Sequence, residues 1–316
     1  MSPAPYVLTF GETMALMRAD QVGPLAHAST MSLGIGGSES NVAIGLRRLG
    51  VQAVWCGRVG ADSLGQLVER EIRAEGVDVR IAVDPSAPTG LMIKERRTPD
   101  AQRVSYYRAG SAGSRIAPED IDDRLVSGAR LLHVSGITPA LSAQAAETFR
   151  HAIGVARDAG VLVSFDLNFR GNLWSREGAG NVYRDLIPLM DIVFAGEDEA
   201  AIAVGAGEPQ ELARRIATLG PSQAVIKLGA DGALAIADGE MYHQAAIAVS
   251  VVDTVGAGDA FVAGYLAELM EGRAPEERLR TAVATGAFAC LVPGDWEGFP
   301  RRHELVLLEA KEPVSR

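Results

Sequence analysis

Cysteine is scarce. The 316 residues hold two, Cys56 and Cys290, far apart and each in an apolar setting. With no Cys-x-x-Cys, neither a disulfide framework nor a thiolate metal site is expected, and both thiols read as reduced and buried. The histidines His27, His133, His151, His243 and His303 show no metal-ligand spacing and read as structural or surface residues. No apolar run is long enough to span a bilayer. The start, Met1-Ser2-Pro3-Ala4-Pro5, lacks the basic region of a signal peptide, so a cytoplasmic protein is expected. Basic residues are in deficit: 30 Lys+Arg against 40 Asp+Glu give a net charge of −10. That disfavours a nucleic-acid partner, which needs a dense basic face. It leaves room for an anionic small molecule, which needs only one or two arginines. The chain also lacks Gly-x4-Gly-Lys-Ser/Thr, excluding a P-loop enzyme. It lacks Gly-x-Gly-x-x-Gly, which removes the main support for a dinucleotide oxidoreductase.

What is present is ordinary for a globular protein, 47% hydrophobic and 22% charged. The length fits two domains, or one large α/β domain with an appendage. Compact apolar runs at 6–10, 53–56, 131–134, 161–165, 192–194 and 225–228 read as strands buried on both faces. Helices are expected at 40–49, 63–74, 142–159 and 258–270, closed by Gly50, Gly76, Gly160 and Gly272. Such alternation implies an α/β fold with a mostly parallel sheet covered on both sides. Residues 11–36 and 88–110 break the rhythm and read as short strands of a small β subdomain. The charged run 94–97 reads as a solvated strand face. The residues after Glu309 read as a frayed tail.

The chemistry concentrates in Asp253-Thr254-Val255-Gly256-Ala257-Gly258-Asp259. Glycines permit tight backbone and leave amides uncovered, and amides at a helix start bind anions. Two readings fit Asp259. It is a helix cap on a plain turn, or a base that takes the proton of a hydroxyl attacking a phosphoryl group.

This segment, followed by Ala-Phe-x-Ala-Gly, resembles the C-terminal motif of the PfkB, or ribokinase-like, carbohydrate kinases. Their N-terminal motif is resembled by Gly36-Gly37-Ser-Glu-Ser-Asn41-Val-Ala43, with Leu46, Leu49 and Gly50. The resemblance runs from Gly11 to Pro300. It implies a three-layer αβα Rossmann-like (ribokinase-like) domain with a small β-sheet lid, here 11–36 and 88–110, in one kinase chain. It implies ATP and Mg2+ as cofactors, with Asp259 as base and the amides of Gly256, Ala257 and Gly258 as an anion hole. Gly36, Gly37 and Asn41 would line the sugar side. Lys227, Gly229, Gly232 and Gly286 would lie on the nucleotide side, with Cys290 near Gly286; ordinary helix packing explains those last two residues equally well. The family's Asn-x-x-Glu element stands here as Gly196-Glu197-Asp198-Glu199. Glu199 is thereby a candidate to hold magnesium through water, or merely an acid at a helix start. A monovalent cation near Asp253 and a homo-oligomer paired through the lids are further family-level implications.

Within the family the resemblance is to 2-keto-3-deoxygluconate kinases. It rests on Tyr106-Tyr107-Arg108-Ala-Gly-Ser111-Ala112, 135–141, Asp166-Leu-Asn168-Phe-Arg170 with Leu173-Trp174, and 294–300. A sugar acid presents a carboxylate, which Arg108 and Arg170 would clamp with charge-assisted bonds. Tyr106 would hold a hydroxyl or carbonyl. Arg108 on the lid surface, and Arg170 paired to Asp166 or another acid, are the plainer alternatives. Met14 and Leu16 stand where ribokinases place polar residues, which argues against ribose. Met92 stands where some sugar-acid kinases have Tyr, which leaves the substrate open. A fructokinase-like ketohexose kinase is the alternative enzyme. A catalytically silent sugar- or nucleotide-binding regulator is the alternative of another class, and retention of Asp259 and both glycines speaks against it.

Overall fold

The computed structural model describes residues 4–98 and 101–308; the tail expected after Glu309 lies outside the described residues. Its strands are β1 Tyr6–Phe10, β2 Met14–Ala19, β3 Met31–Gly36, β4 Gln52–Gly60, β5 Asp78–Asp84, β6 Leu91–Thr98 and β7 Ala101–Tyr107. They continue with β8 Leu131–Ser135, β9 Leu162–Asp166, β10 Ile192–Gly196, β11 Gln223–Lys227, β12 Ala233–Ala237 and β13 Glu240–Gln244. The described residues form a nine-stranded sheet in the order β13-β12-β11-β10-β9-β8-β1-β4-β5. It is parallel from β5 to β11 and closes with the antiparallel pair β12 and β13.

Strand alternation feeds two cores, as a doubly covered sheet requires. Val7, Leu131, Ile192, Phe194 and Val225 point to one core, with helices Ser38–Arg48, Ser63–Ala74, Ala257–Met270 and Pro275–Ala289. Leu8, Leu132, Val193, Ala224 and Ile226 point to the other, with Ala143–Asp158, Arg176–Leu186, Glu197–Val204 and Pro209–Thr218. In the second core Phe165 meets Phe149 and Tyr183 edge-on, at 5.7 and 6.0 Å between ring centres. His133 is buried on β8, its Nδ1 3.0 Å from Ser164 Oγ, and burial lowers its pKa to about 3. It is a neutral structural residue.

A second, four-stranded sheet runs β3-β2-β6-β7. Its register sets Leu16 beside Met92 and Met92 beside Tyr106. Two sequence expectations change here. The run 94–97 is not a solvated face: Lys94 follows Met92 on the buried side of β6, while Arg97 lies at the exposed end. Burial falls away along the strand, from Lys94 through the half-buried Glu95 and Arg96 to Arg97. Cys56 is buried as expected, but Cys290 is half-buried, at the C-terminal cap of the helix Pro275–Ala289.

Phe165→Ala is expected to cost about 3–5 kcal/mol, the range for emptying an aromatic site in a close-packed core. Urea unfolding checks this.

Candidate active site

The first strand, β1, is flanked by β8 on one side and β4 on the other, so the chain winds outward in both directions from there. Open α/β sheets place their ligand crevice at the carboxyl ends of strands around such a reversal. A cavity of about 370 Å³ lies there. Its lining includes Glu12 just past β1 and the strand-terminal residues Asp166, Gly196 and Lys227. The small sheet contributes Met14, Leu16, Met92, Lys94, Val104 and Tyr106.

Asp259 stands in the first turn of helix Ala257–Met270 and is buried at the cavity floor. Ser38 Oγ donates to its Oδ1 (2.7 Å) and Asn41 Nδ2 to its Oδ2 (2.8 Å). Asn168, held in a left-handed conformation at φ 43°, donates from Nδ2 to Ser38 Oγ (2.7 Å). Burial raises the Asp259 pKa, against the two side-chain donors. A carboxylate so placed is more basic than in water and is oriented by two neutral donors. That suits it to accept a proton.

The turn before it has one permitted residue type at its apex. Gly256 has φ 77°, and a Cβ there would lie 1.7 Å from the Asp295 carbonyl oxygen. First-turn amides of a helix have no carbonyl one turn earlier to bond. The Ala257 amide leans on the Thr254 carbonyl (3.3 Å). Together with the helix dipole, this turn can stabilise negative charge. Lys227 Nζ faces the same turn, about where a side chain on Gly258 would point (3.7 Å), and pairs with Asp166 Oδ1 at 2.8 Å.

Gly36, Gly37, Asn41, Tyr106, Arg108, Arg170, Glu199, Lys227, Gly256, Gly258 and Asp259 all line this one cavity. Gly36 and Gly37 serve close approach: a Cβ on the first would strike Asp295 Oδ2 at 2.0 Å, on the second the Glu12 carbonyl at 2.5 Å. Gly229, Gly232 and Gly286 are not among the lining residues. The first two shape the turn between β11 and β12, with φ 58° and 98°. Gly286 faces the start of the helix Ala257–Met270: a Cβ there would lie 3.4 Å from the Ala257 carbonyl oxygen, an ordinary packing contact.

The arginines differ. Arg108 is buried, not on the lid surface. Its Nε donates to Glu12 Oε2 (2.7 Å), and Ser111 Oγ bonds the other Glu12 oxygen. Arg170 is not paired to Asp166, which Lys227 has taken; its Nη1 donates to the Phe169 carbonyl (3.1 Å). Among the described residues Arg170 forms no ion pair, although it lines the cavity. Glu199 caps its helix, accepting from Gly196 N (2.7 Å) and Phe169 N (3.0 Å).

Several site residues escaped the sequence reading. Glu12 lies on an unremarkable loop, and Lys94 is hidden in a charged run. Ser38, Asn168 and Asp295 stand inside segments that carry the resemblance, without a role of their own. Burial pushes Asp295 and Glu39 up to about 7, eased at Asp295 by Lys94 and at Glu39 by the Thr138 hydroxyl. No metal cluster of three or more His, Cys, Asp or Glu occurs among the described residues. No helix among them is long and apolar enough to cross a membrane.

The model of the pfkB family carbohydrate kinases matches residues 4–302. The chain belongs to this family. Like its relatives it is a sugar kinase, a transferase of phosphate to an alcohol. It is similar to a 2-dehydro-3-deoxygluconokinase of Bacillus subtilis, 37% identical over 98% of this chain and 97% of that one. A 2-dehydro-3-deoxygalactonokinase of Haloferax volcanii is 35% identical over 92% of each. Among solved structures, a PfkB protein from Polaromonas superposes with a TM-score of 0.87 at 36% identity, covering 96% of this chain and 99% of that one. An uncharacterized sugar kinase from Pyrococcus horikoshii in complex with ATP gives 0.83 at 26% identity, covering 96% and 98%. These neighbours share the ribokinase-like fold of this pfkB kinase.

The buried Glu39 yields a pH prediction. Its carboxyl pKa rises from the ordinary 4.5 to about 7 on folding, so between those values the folded chain holds a proton that the unfolded chain releases. Stability therefore falls as pH rises through that window. Glu39→Gln keeps an acceptor for Thr138 and removes this part of the slope. It is expected to raise the stability at pH 8 by about 2–3 kcal/mol relative to its effect at pH 4. Urea melts of both proteins at the two pH values check it.

Proposed function

We propose that the chain phosphorylates the terminal hydroxyl of 2-keto-3-deoxygluconate, or a related 2-keto-3-deoxy sugar acid, at the expense of ATP. The observation that carries this is Arg170, a cavity cation without a carboxylate partner among the described residues, in a cavity that an apolar row of the small sheet also lines. A substrate carboxylate completes Arg170 with charge-assisted hydrogen bonds. Met14, Leu16, Met92 and Val104 pack together along the cavity wall. A methylene at a deoxy position suits that wall, whereas a hydroxyl there would be left unpaired. The names of the Bacillus and Haloferax relatives, both 2-dehydro-3-deoxy sugar-acid kinases, support the same class; 2-dehydro and 2-keto denote the same carbonyl.

In this reading Asp259 takes the proton of the attacking hydroxyl while Asn41 and Ser38 hold it in orientation. The amides of Gly256, Ala257 and Gly258 stabilise charge on the transferred group, the larger contribution in such a reaction. Lys227 neutralises phosphate beside them. Gly36, Gly37 and Tyr106 seat the sugar. Arg108 reaches its carboxylate from the Glu12 ion pair, with Arg170 opposite. Gly229, Gly232 and Gly286 support the nucleotide side through their turns and packing. The ATP complex of the Pyrococcus relative supports that nucleotide. Magnesium binds through phosphates and waters with few protein ligands. Glu199, lining the cavity, fits that mode through water, because its oxygens already cap backbone amides; Asp166, both of whose oxygens accept from Lys227, would likewise act through water. When bound, the ion spreads the charge of the phosphates. The small sheet, 11–36 with 88–110, serves as a lid that excludes competing water.

A coupled ADP assay across sugar acids and ketohexoses tests the substrate. Turnover with 2-keto-3-deoxygluconate should exceed that with fructose. Preference for fructose would overturn the reading in favour of a ketohexose kinase, and no turnover with any sugar would favour a binding regulator. Asp259→Asn is expected to bind ATP yet lose on the order of 10²–10⁴-fold in turnover. Near-wild-type turnover would remove the base. Arg170→Ala should raise KM for the sugar acid roughly 10–100-fold, the worth of a charged hydrogen bond, and leave neutral-sugar use nearly unchanged. Arg108→Ala should also harm sugar-acid use, and in addition destabilise the fold by about 3–5 kcal/mol because Glu12 is stranded.

A further inference from the structure

Asp253 opens the phosphate turn, and its carboxylate ties that turn to two neighbouring segments. Oδ1 accepts from Val255 N (3.1 Å), and Oδ2 accepts from Gly294 N (3.2 Å) and from Lys94 Nζ. The Lys94 ammonium also lies 3.4 Å from the Gly294 carbonyl. Both side chains of this pair are buried, 3% and 1% exposed. A buried ion pair is held only when its remaining donors and acceptors are met, and loss of one partner leaves an uncompensated charge. Lys94 comes from β6 of the small sheet, so the pair joins that sheet to the turn that ends in Asp259.

The pair is also a partition. Lys94 lines the active-site cavity on one side. On the other, Lys94 and Asp253 line a second cavity of about 150 Å³ with Arg18, Asp20 and Pro293. A free monovalent cation near Asp253, which family resemblance implies, does not fit this arrangement. The carboxylate already has a full-charge partner, and the nearby carbonyl of Gly294 faces that ammonium.

We propose that Lys94 is the built-in cation of the phosphate turn, a positioning residue that sets Asp253, and through it the amides at 256–258, without any free monovalent ion. Turnover is then indifferent to the kind of monovalent cation supplied. Removing the ammonium exposes the Asp253 charge to the second cavity, where a small cation can enter and take its place. The proposal rests on the turn acting as an anion hole, but not on which sugar is the substrate.

The test compares wild type and Lys94→Met at constant ionic strength in potassium, sodium, ammonium or tetramethylammonium chloride. Steady-state turnover and thermal melting are both read. Wild-type kcat and melting temperature should agree across the four salts, kcat within about two-fold. Lys94→Met should lose on the order of 10²-fold in kcat, as when an oxyanion donor is misplaced, with a smaller change in KM. Potassium or ammonium, but not tetramethylammonium, should restore at least tenfold of that loss and raise its melting temperature by about 2 °C or more. Wild-type kcat or melting that depends on potassium overturns the proposal, and this arm does not require the variant to fold. A folded Lys94→Met with wild-type kcat, or one that no cation restores, overturns it as well. If no sugar is turned over, the substrate reading fails separately, and the melting comparison still decides the role of Lys94.

Discussion

The structure around the cavity depends on one buried carboxylate, Asp259, and on the donors that hold it. Ser38 and Asn41 reach it from the first turn of the helix at 38–48, more than two hundred residues away in sequence. Asn168, beyond the end of β9, steadies Ser38 in turn. Three elements are thereby fixed at one point: two helix starts and one strand end. The chemistry of the hold matters as much as its geometry. Cationic partners in direct contact would stabilise the carboxylate and weaken it as a base. Two neutral donors orient it while burial keeps its pKa raised.

The same logic organises the charges around it. Lys227 is matched by Asp166, Arg108 by Glu12, and Lys94 by Asp253. Each pair places a cation near a position where phosphate or sugar would sit, while the partner limits the cost of holding that charge without ligand. Pairing also fixes side chains that would otherwise lose freedom on binding, which is preorganisation. Arg170 departs from the pattern: it lines the cavity and, among the described residues, meets a backbone carbonyl but no carboxylate. On the reading proposed above, the substrate carboxylate completes it, whereas a neutral sugar would leave it as it is.

Much of this was legible in the sequence because it is local. Apolar runs marked six strands of the main sheet, and Gly50, Gly76, Gly160 and Gly272 marked helix ends, each with a positive φ. The turn at 256–258 and the motif at 36–41 were recognisable because tight backbone restricts residue choice. What could not be read were partners supplied by folding. Nothing local joins Lys94 to Asp253, or Glu12 to Arg108, since each pair spans many residues and more than one element. A lysine within Lys-Glu-Arg-Arg looks solvated until the small sheet's placement is known. Strand β13 and the helices Arg176–Leu186 and Pro209–Thr218 were missed for a related reason: their apolar residues are sparse and gain meaning only from the sheet they join or cover. Strand β12 is apolar throughout, but three of its five residues are alanine, which carries little strand signal.

Strand β6 draws these points together. Met92 and Lys94 are two residues apart, on one face, and both line the cavity. The first belongs to the apolar wall; the second reaches the turn of Asp253. Because a strand is stiff along its length, the two cannot move independently. Any displacement of the small sheet that opens the sugar seat must also pull the ammonium away from Asp253 and leave a buried charge unmatched. The ion pair therefore opposes opening, and its penalty falls on the turn that would stabilise the transferred phosphoryl group. On the reading proposed above, a small sheet displaced from the sugar site also leaves the anion hole without the contact that sets it.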